Sequence, residues 1–177
     1  MPERAPWPPA EAPEPVSLLL DCDTGIDDAL ALAYLCSQPH VELVAVSSTP
    51  GNVGAEQVAR NNLALLELCG RPDVPVAIGA RAPLEIPLVT TPETHGPQGI
   101  GYAELPEPRG SVHPGDAAEL WIEAARARPG ELTALLTAPA DQLRPRHARG
   151  APAPGAAARR RHHGRQLLLP RQHHAHR

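Results

Sequence analysis

Leu18-Leu19-Leu20-Asp21-Cys22-Asp23-Thr24-Gly25-Ile26-Asp27-Asp28-Ala29-Leu30-Ala31-Leu32 is the stretch that decides the fold. It is an apolar run that ends in four carboxylates within eight residues. The run reads as a buried parallel strand over Val16–Cys22, and Ile26 to Ser37 as the amphipathic helix after it. The acids then sit at the carboxyl end of a strand, where open α/β sheets bind their ligands. Crowded carboxylates repel one another unless a positive charge settles among them. A hard divalent cation, Ca²⁺ or Mg²⁺, suits such an all-oxygen set. Helix capping is the competing account, because an Asp at an N-cap or in a first turn satisfies free N–H groups and suits the helix dipole. It covers Asp27 or Asp28, and Thr24 is a further candidate cap. It does not account for Asp21 and Asp23 as well.

Downstream the chain alternates strand and helix. Val41–Ser48 is apolar and β-branched, which predicts a second strand. Ala55–Cys69 carries Val58, Leu63, Leu65, Leu66 and Leu68 at helical spacing and runs into Gly70, a residue that favours a helix C-terminus. Val74–Ile78 predicts a short third strand. Arg81–Gly110 is a long Pro/Gly-rich loop, and loops of that length in a compact domain usually serve function. Pro114–Arg128 predicts a third helix, with Pro near its start and Gly130 after its end. Leu132–Thr137 predicts a fourth strand. Repeated β-α-β order implies a Rossmann-like α/β domain, a mostly parallel sheet with flanking helices on both faces.

A parallel sheet brings two further features to the edge that carries the aspartates. Thr49-Pro50-Gly51-Asn52-Val53 comes directly after the second strand, and Asn52 is within reach of a ligand held at Asp23 and Asp28, although a turn Asn is an equal reading. His95-Gly96-Pro97-Gln98-Gly99-Ile100-Gly101 lies in the long loop. A His between glycines approaches a substrate closely, and a solvated loop His is the equal alternative.

Composition limits the rest. The chain has 177 residues, room for one ordinary domain. With two Trp, two Tyr and no Phe, the core must be built from Leu, Val, Ile and Ala. The three cysteines, Cys22, Cys36 and Cys69, form no metal-like spacing, and reduced thiols in a cytoplasmic protein are the simplest account. No apolar run reaches the ~18–20 residues of a membrane span, and the acidic, Pro-rich residues 1–15 read as a disordered leader, not a secretory signal. The net charge of −4 hides a break. Residues 138–177 hold nine Arg, one acid and six of the nine His, whereas the rest of the chain carries a formal −12. No core periodicity runs through the basic part.

Asp21-x-Asp23-x-Gly25-x-Asp27-Asp28-Ala29-Leu30-Ala31-Leu32, then Gly51-Asn52, then His95-Gly96-x-x-Gly99-x-Gly101, resemble in order and spacing the inosine/uridine-preferring nucleoside hydrolases. The resemblance runs from about Leu18 to Thr137. It implies the nucleoside hydrolase fold, here truncated. It implies a bound Ca²⁺ and hydrolysis of the N-glycosidic bond of ribonucleosides to free base and ribose, in cytoplasmic nucleoside catabolism and purine/pyrimidine salvage. Residue by residue, Asp23 and Asp28 resemble calcium-binding carboxylates, and Thr137 the position whose backbone carbonyl joins them. Asp23 also resembles the catalytic base that takes a proton from the attacking water. Asp27 and Asn52 resemble groups that hold the ribose hydroxyls, and His95 lies where substrate would be met. Asp21 is placed as a brace behind the cluster. The chemistry suits these types, since cleavage of an N-ribosidic bond develops positive charge on the sugar that anionic surroundings stabilise. The implied partner is a ribonucleoside, with no membrane and no nucleic acid, and the intact family forms homo-oligomers.

Two other readings stand beside it. Asp21-Cys22-Asp23-Thr24 also matches the Asp-x-Asp-x-Thr signature of haloacid-dehalogenase-type phosphohydrolases, with Asp21 as nucleophile. Those enzymes need a later base, usually Lys, and a distal acidic pair, and this chain has no Lys and no second Asp pair. A non-catalytic remnant that binds a metal or a partner through its basic arm is the reading outside enzymes.

The family pattern departs at Ala138. Expected next are Leu-Thr-Asn, a helix, another strand ending in Met-Gly-Gly, an Asn-rich sugar-binding segment and, much later, a His-Asp pair. Read one nucleotide forward in plausible GC-rich codons, Ala140-Asp141-Gln142 becomes Leu-Thr-Asn, and His162–His176 spells Met-Gly-Gly and then Gly-Asn-Thr-Thr-Pro. We therefore read residues 138–177 as an out-of-frame, disordered tail. A natural basic tail suited to nucleic acid or to histidine metal binding is the alternative. The chain as written is then expected to bind calcium weakly and to be nearly inactive.

Overall fold

A computed structural model describes residues 14–83 and 87–138. The expected leader and basic tail lie outside the described residues, apart from Glu14, Pro15 and Ala138.

The elements run β1 (Val16–Cys22), α1 (Ile26–Ser37), β2 (Val41–Ser48), α2 (Ala55–Leu68), β3 (Val76–Ile78), a single turn α3 (Pro92–His95), α4 (Ala117–Ala127) and β4 (Leu132–Leu136). The four strands form one sheet in the order β3-β2-β1-β4, and every pairing is parallel. The α/β class with a parallel sheet stands as expected. The differences lie at element ends. β3 starts at Val76 because Pro75 has no N–H for a ladder and Val74 is drawn into a turn, donating to the Arg71 carbonyl. α4 starts three residues after Pro114, where the Asp116 carboxylate accepts the Glu119 N–H at 2.8 Å and Glu119 accepts the Asp116 N–H in return. This reciprocal cap outweighs proline's preference for a first turn. α3 lies inside the stretch expected to be loop, with Pro92 opening it.

Side-chain alternation along the strands divides the core in two. Leu18, Leu20, Leu43, Val46 and Val76 face α1 and α2, where they meet Leu32, Leu35, Ala59 and Leu66. Leu19, Ala45 and Ala77 point to the other face and meet Ala117 and Leu120 of α4. Leu20, Leu32 and Leu66 are 1% exposed or less. Each such side chain contributes roughly 1.5–3 kcal/mol through removal from water. β4 is an edge strand, and its Thr133, Ala134 and Leu136 are exposed. No helix among the described residues is long and apolar enough to cross a membrane.

Register sets up the site. Cys22 pairs with Ser48, Ser48 with Ile78, and Asp21 with Leu136, so all four strands end together at one edge. The segments leaving β1, β2 and β4 converge there: Asp23-Thr24-Gly25, then Thr49-Pro50-Gly51-Asn52, then Thr137.

Candidate active site

An open cleft of roughly 670 Å³ at this edge is lined by Asp23, Asp27, Asp28, Ala31, Asn52, His95, Thr137 and Ala138. Six residues singled out in the sequence therefore share one cleft. Asp21, the seventh, lies beneath it, 3% exposed.

Asp23 leaves the end of β1 and is 8% exposed. One of its oxygens accepts the backbone N–H of Asn52 at 3.0 Å, which ties the β1 and β2 loops together. Gly51 is required for that contact, since a Cβ there would stand 2.0 Å from Asp23 Oδ2. Asp28 sits in the first turn of α1, and its Oδ2 accepts the Gly25 N–H at 3.2 Å. Capping thus explains one oxygen of Asp28, and the carboxylate still faces Asp23. Burial pushes the Asp23 carboxyl up to about 6, and the Asp28 charge beside it adds to the effect. Asp27 is different in kind, with a side chain 81% exposed at the mouth of the cleft.

Asn52 is held by Thr91, whose hydroxyl donates to Asn52 Oδ1 at 2.9 Å and whose N–H donates to the Asn52 carbonyl. α3 then delivers His95, whose Nδ1 accepts the Ile26 N–H at 3.1 Å. That bond occupies Nδ1 as an acceptor, so the ring carries its proton on Nε2. The Asp27 carboxylate is 3.9 Å from the same Nδ1, beyond hydrogen-bond range. Gly25 makes room for this crossing of loops, since a Cβ there would come within 2.6 Å of Asn52 and 2.7 Å of His95.

Asp21 takes the Ser47 and Thr49 hydroxyls on one oxygen, at 2.6 and 2.7 Å. Its other oxygen has no partner among the described residues. Burial holds this carboxyl above its ordinary value, against the pull of the two hydroxyls. Its backbone carbonyl accepts both the N–H and the hydroxyl of Thr137, at 2.9 and 3.1 Å. Asp21 therefore joins the ends of β1, β2 and β4. A nucleophile must reach solvent, and this side chain does not, which removes the structural basis for a phosphohydrolase with Asp21 as its nucleophile.

The cleft has the donor chemistry of a hard-cation site. Two carboxylates, Asp23 and Asp28, line it together, and the Asp28 charge helps to raise the Asp23 carboxyl, a repulsion that an added cation would relieve. The set is partial. Among the described residues, no three His, Cys, Asp or Glu side chains gather as a metal cage, and Ca²⁺ takes 6–8 oxygens.

The sequence profile described as "Inosine-uridine preferring nucleoside hydrolase" matches residues 18–143. The chain belongs to the inosine-uridine preferring nucleoside hydrolase family. The pyrimidine-specific ribonucleoside hydrolase RihA of Salmonella enteritidis is 38% identical over 122 residues, covering 69% of this chain and 39% of the relative. Among solved structures, the purine-preferring ribonucleoside hydrolase from Gardnerella vaginalis superposes with a TM-score of 0.68 at 32% identity, over 72% of this chain and 42% of that one. A plant nucleoside hydrolase, the PpNRh1 enzyme, superposes at 0.69 with 30% identity, over 73% and 41%. This member of the family thus spans about two fifths of the length of the relatives it matches.

Several groups that fix the cleft leave little mark in the sequence. Thr91, Ser47 and Thr49 carry no local signal, since small hydroxyl residues are ordinary at strand ends and turns. Asn61 and Asn62 do carry one: two adjacent amides in the middle of an amphipathic helix, both buried. The cysteines also gain a relation that spacing hides. All three are free thiols, but Cys36 of α1 and Cys69 after α2 are neighbours.

Proposed function

We propose that this chain carries the cation- and ribose-binding part of a nucleoside hydrolase site, whose reaction is hydrolysis of the ribonucleoside N-glycosidic bond to free base and ribose. The convergence of Asp23, Asp27, Asp28, Asn52, His95 and Thr137 on one cleft carries this reading. In it, Asp23, Asp28 and Thr137 hold Ca²⁺. The ion, when bound, orients the ribose diol and the attacking water and makes that water easier to deprotonate. Asp23, which lines the cleft, takes the water proton as general base. Asp27, exposed at the mouth, and Asn52, fixed by Thr91, hold the ribose hydroxyls. His95 offers its Nε2–H to the substrate. Asp21 braces the strand ends from below. The anionic cleft stabilises the positive charge that grows on the sugar as the bond to the base breaks.

The same reading places the protein in cytoplasmic nucleoside salvage, in keeping with its three free thiols, and expects homo-oligomers. It also retains the out-of-frame reading of residues 138–177. The family match ends at residue 143, close to the break in composition at Ala138.

The test compares the chain as written with a version lacking one nucleotide near the Ala138 codon and read to the next stop. Both are assayed with inosine and uridine, with and without a calcium chelator. The repaired version should release base and ribose in a calcium-dependent way that Asp23→Asn abolishes, and the chain as written should be nearly silent. Ordinary enzyme rates from the chain as written would overturn the tail reading. Activity of the repaired version that survives both Asp23→Asn and the chelator would overturn the site.

A further inference from the structure

Beneath the cleft a second polar cluster is sealed in the core. Asn62, in the middle of α2, is wholly buried. Its Oδ1 accepts the Thr24 hydroxyl at 2.6 Å, and its Nδ2 donates to the Ser48 hydroxyl at 3.1 Å. The Cys22 thiol lies against it at 3.4 and 3.7 Å and contacts the Thr24 hydroxyl at 3.4 Å. Thr24 and Ser48 are themselves fully buried. A buried amide, two hydroxyls and a thiol in place of hydrocarbon would be costly unless paired, and here each has a partner.

The two hydroxyl residues stand at decisive points of the chain. Thr24 lies between Asp23 and the first turn of α1 that carries Asp27 and Asp28. Ser48 is the last residue of β2, directly before the loop that carries Gly51 and Asn52. Asn62 thus grips both site-bearing loops from the opposite side to the cleft. It is tied to neither by sequence, lying 38 residues from Thr24 and 14 from Ser48. One turn of α2 serves the third loop as well, because Asn61 donates to the Gln98 carbonyl at 2.7 Å, in the segment just after His95.

We propose that Asn62 is a positioning residue for the aspartate cluster. Through the Thr24 hydroxyl it sets the separation of Asp23 and Asp28, and through the Ser48 hydroxyl it sets the approach of the Asn52 loop, so that cation affinity depends on an amide that never touches the cation. The inference deepens the reading of the cleft as a calcium-dependent site and rests on it.

The experiment uses the full chain as written and three variants, Asn62→Ala, Thr24→Val and Thr24→Ser. Calorimetry reads Ca²⁺ affinity, and hydrogen exchange reads the amides of residues 24–28 and 52 against those of β1 and β2. Loss of a buried hydrogen-bond partner corresponds to roughly a tenfold effect or more. Thr24→Val, which keeps shape and removes the hydroxyl, should weaken Ca²⁺ binding about tenfold and speed exchange in both loops while the strands stay protected. Asn62→Ala should do at least as much. Thr24→Ser, which keeps the hydroxyl, should remain within about twofold of the parent. Equal behaviour of Thr24→Val and Thr24→Ser would overturn the proposal, as would loss of protection in strands and loops alike. If Asn62→Ala does not fold, the two Thr24 variants decide. If the parent chain itself takes up no Ca²⁺, the cation reading of the cleft fails, and loop exchange still decides whether Asn62 positions it.

Discussion

Replacing Asp23 by Asn should make the calcium-free protein more stable at neutral pH, although it removes the residue assigned as base. In the folded chain the Asp23 carboxyl is pushed up from 3.8 to about 6, first by burial and then by the Asp28 charge. A raised acid binds its proton more tightly when folded than when unfolded. Its contribution is therefore fully present below pH 3.8 and is lost as pH rises through about 6. At ~1.4 kcal/mol per unit, the full loss is about 3 kcal/mol, of which roughly 2 falls between pH 4 and pH 7. Asn cannot ionise, and its side-chain oxygen still accepts the Asn52 N–H that Asp23 accepts at 3.0 Å. Urea unfolding monitored by circular dichroism, in chelator, should place the variant close to the parent at pH 4 and about 1–3 kcal/mol above it at pH 7. Added Ca²⁺ should then stabilise the parent and not the variant, because a ligand that binds only the folded state raises its stability. A stability difference independent of pH, or a variant that is weaker at pH 7 than at pH 4 relative to the parent, would refute the assignment of a costly buried charge to Asp23.

Gly51→Ala forces a Cβ to within 2.0 Å of Asp23 Oδ2, and overpacking of ~1–3 kcal/mol should lower Ca²⁺ affinity roughly 5- to 150-fold in calorimetry. Gly54→Ala, where a Cβ would meet nothing within 4 Å, should leave that affinity unchanged. Cys22, 1% exposed with its thiol pushed up to about 12 by burial, should escape Ellman's reagent at pH 8 until denaturant is added. Cys36 and Cys69 should react first, Cys36 slowly because burial and its Cys69 neighbour push its thiol up to about 11. Asp116→Ala, which removes the acceptor for the Glu119 N–H, should cost about 1 kcal/mol in thermal or chemical unfolding.

What could be read from the chain and what could not divides along the range of the forces involved. β1, α1 and β2 were legible to the residue, because their apolar patterns are strong and local and their ends are marked by Asp, Gly and Ser. The ends of β3 and α4 were not, because they turn on single hydrogen bonds. Pro75 removes one ladder donor, and Asp116 offers a cap that outweighs Pro114. The long loop looked shapeless because its internal bonds, such as the Gly96 N–H to the Pro92 carbonyl and the Gly101 N–H to the His95 carbonyl, are short turns that leave no periodic signal. Its shape comes from contacts with distant elements: Thr91 on Asn52, His95 on the Ile26 N–H and Gln98 on Asn61.

The same division explains why a sequence reveals the reactive groups of such a cleft before it reveals what aims them. Asp21, Asp23, Asp27 and Asp28 crowd together along the backbone, and like charges at that density are conspicuous whatever the fold. The groups that set their geometry are small and neutral, and they come from other strands and helices. Ser47, Thr49 and Thr91 each look ordinary in sequence, and each becomes informative only once the parallel register has brought the strand ends together. Asp21 carries the point furthest. In sequence it has the same chemistry as its neighbours and invites the role of nucleophile. Two residues further along, Asp23 faces the cleft. Asp21 instead spends one oxygen on two hydroxyls and its carbonyl on Thr137. What separates a residue that lines the cleft from one that holds three strand ends in place is where the strand stops: Asp21 is still paired with Ser47 and Leu136 inside the sheet, and Asp23 lies past the last residue of β1.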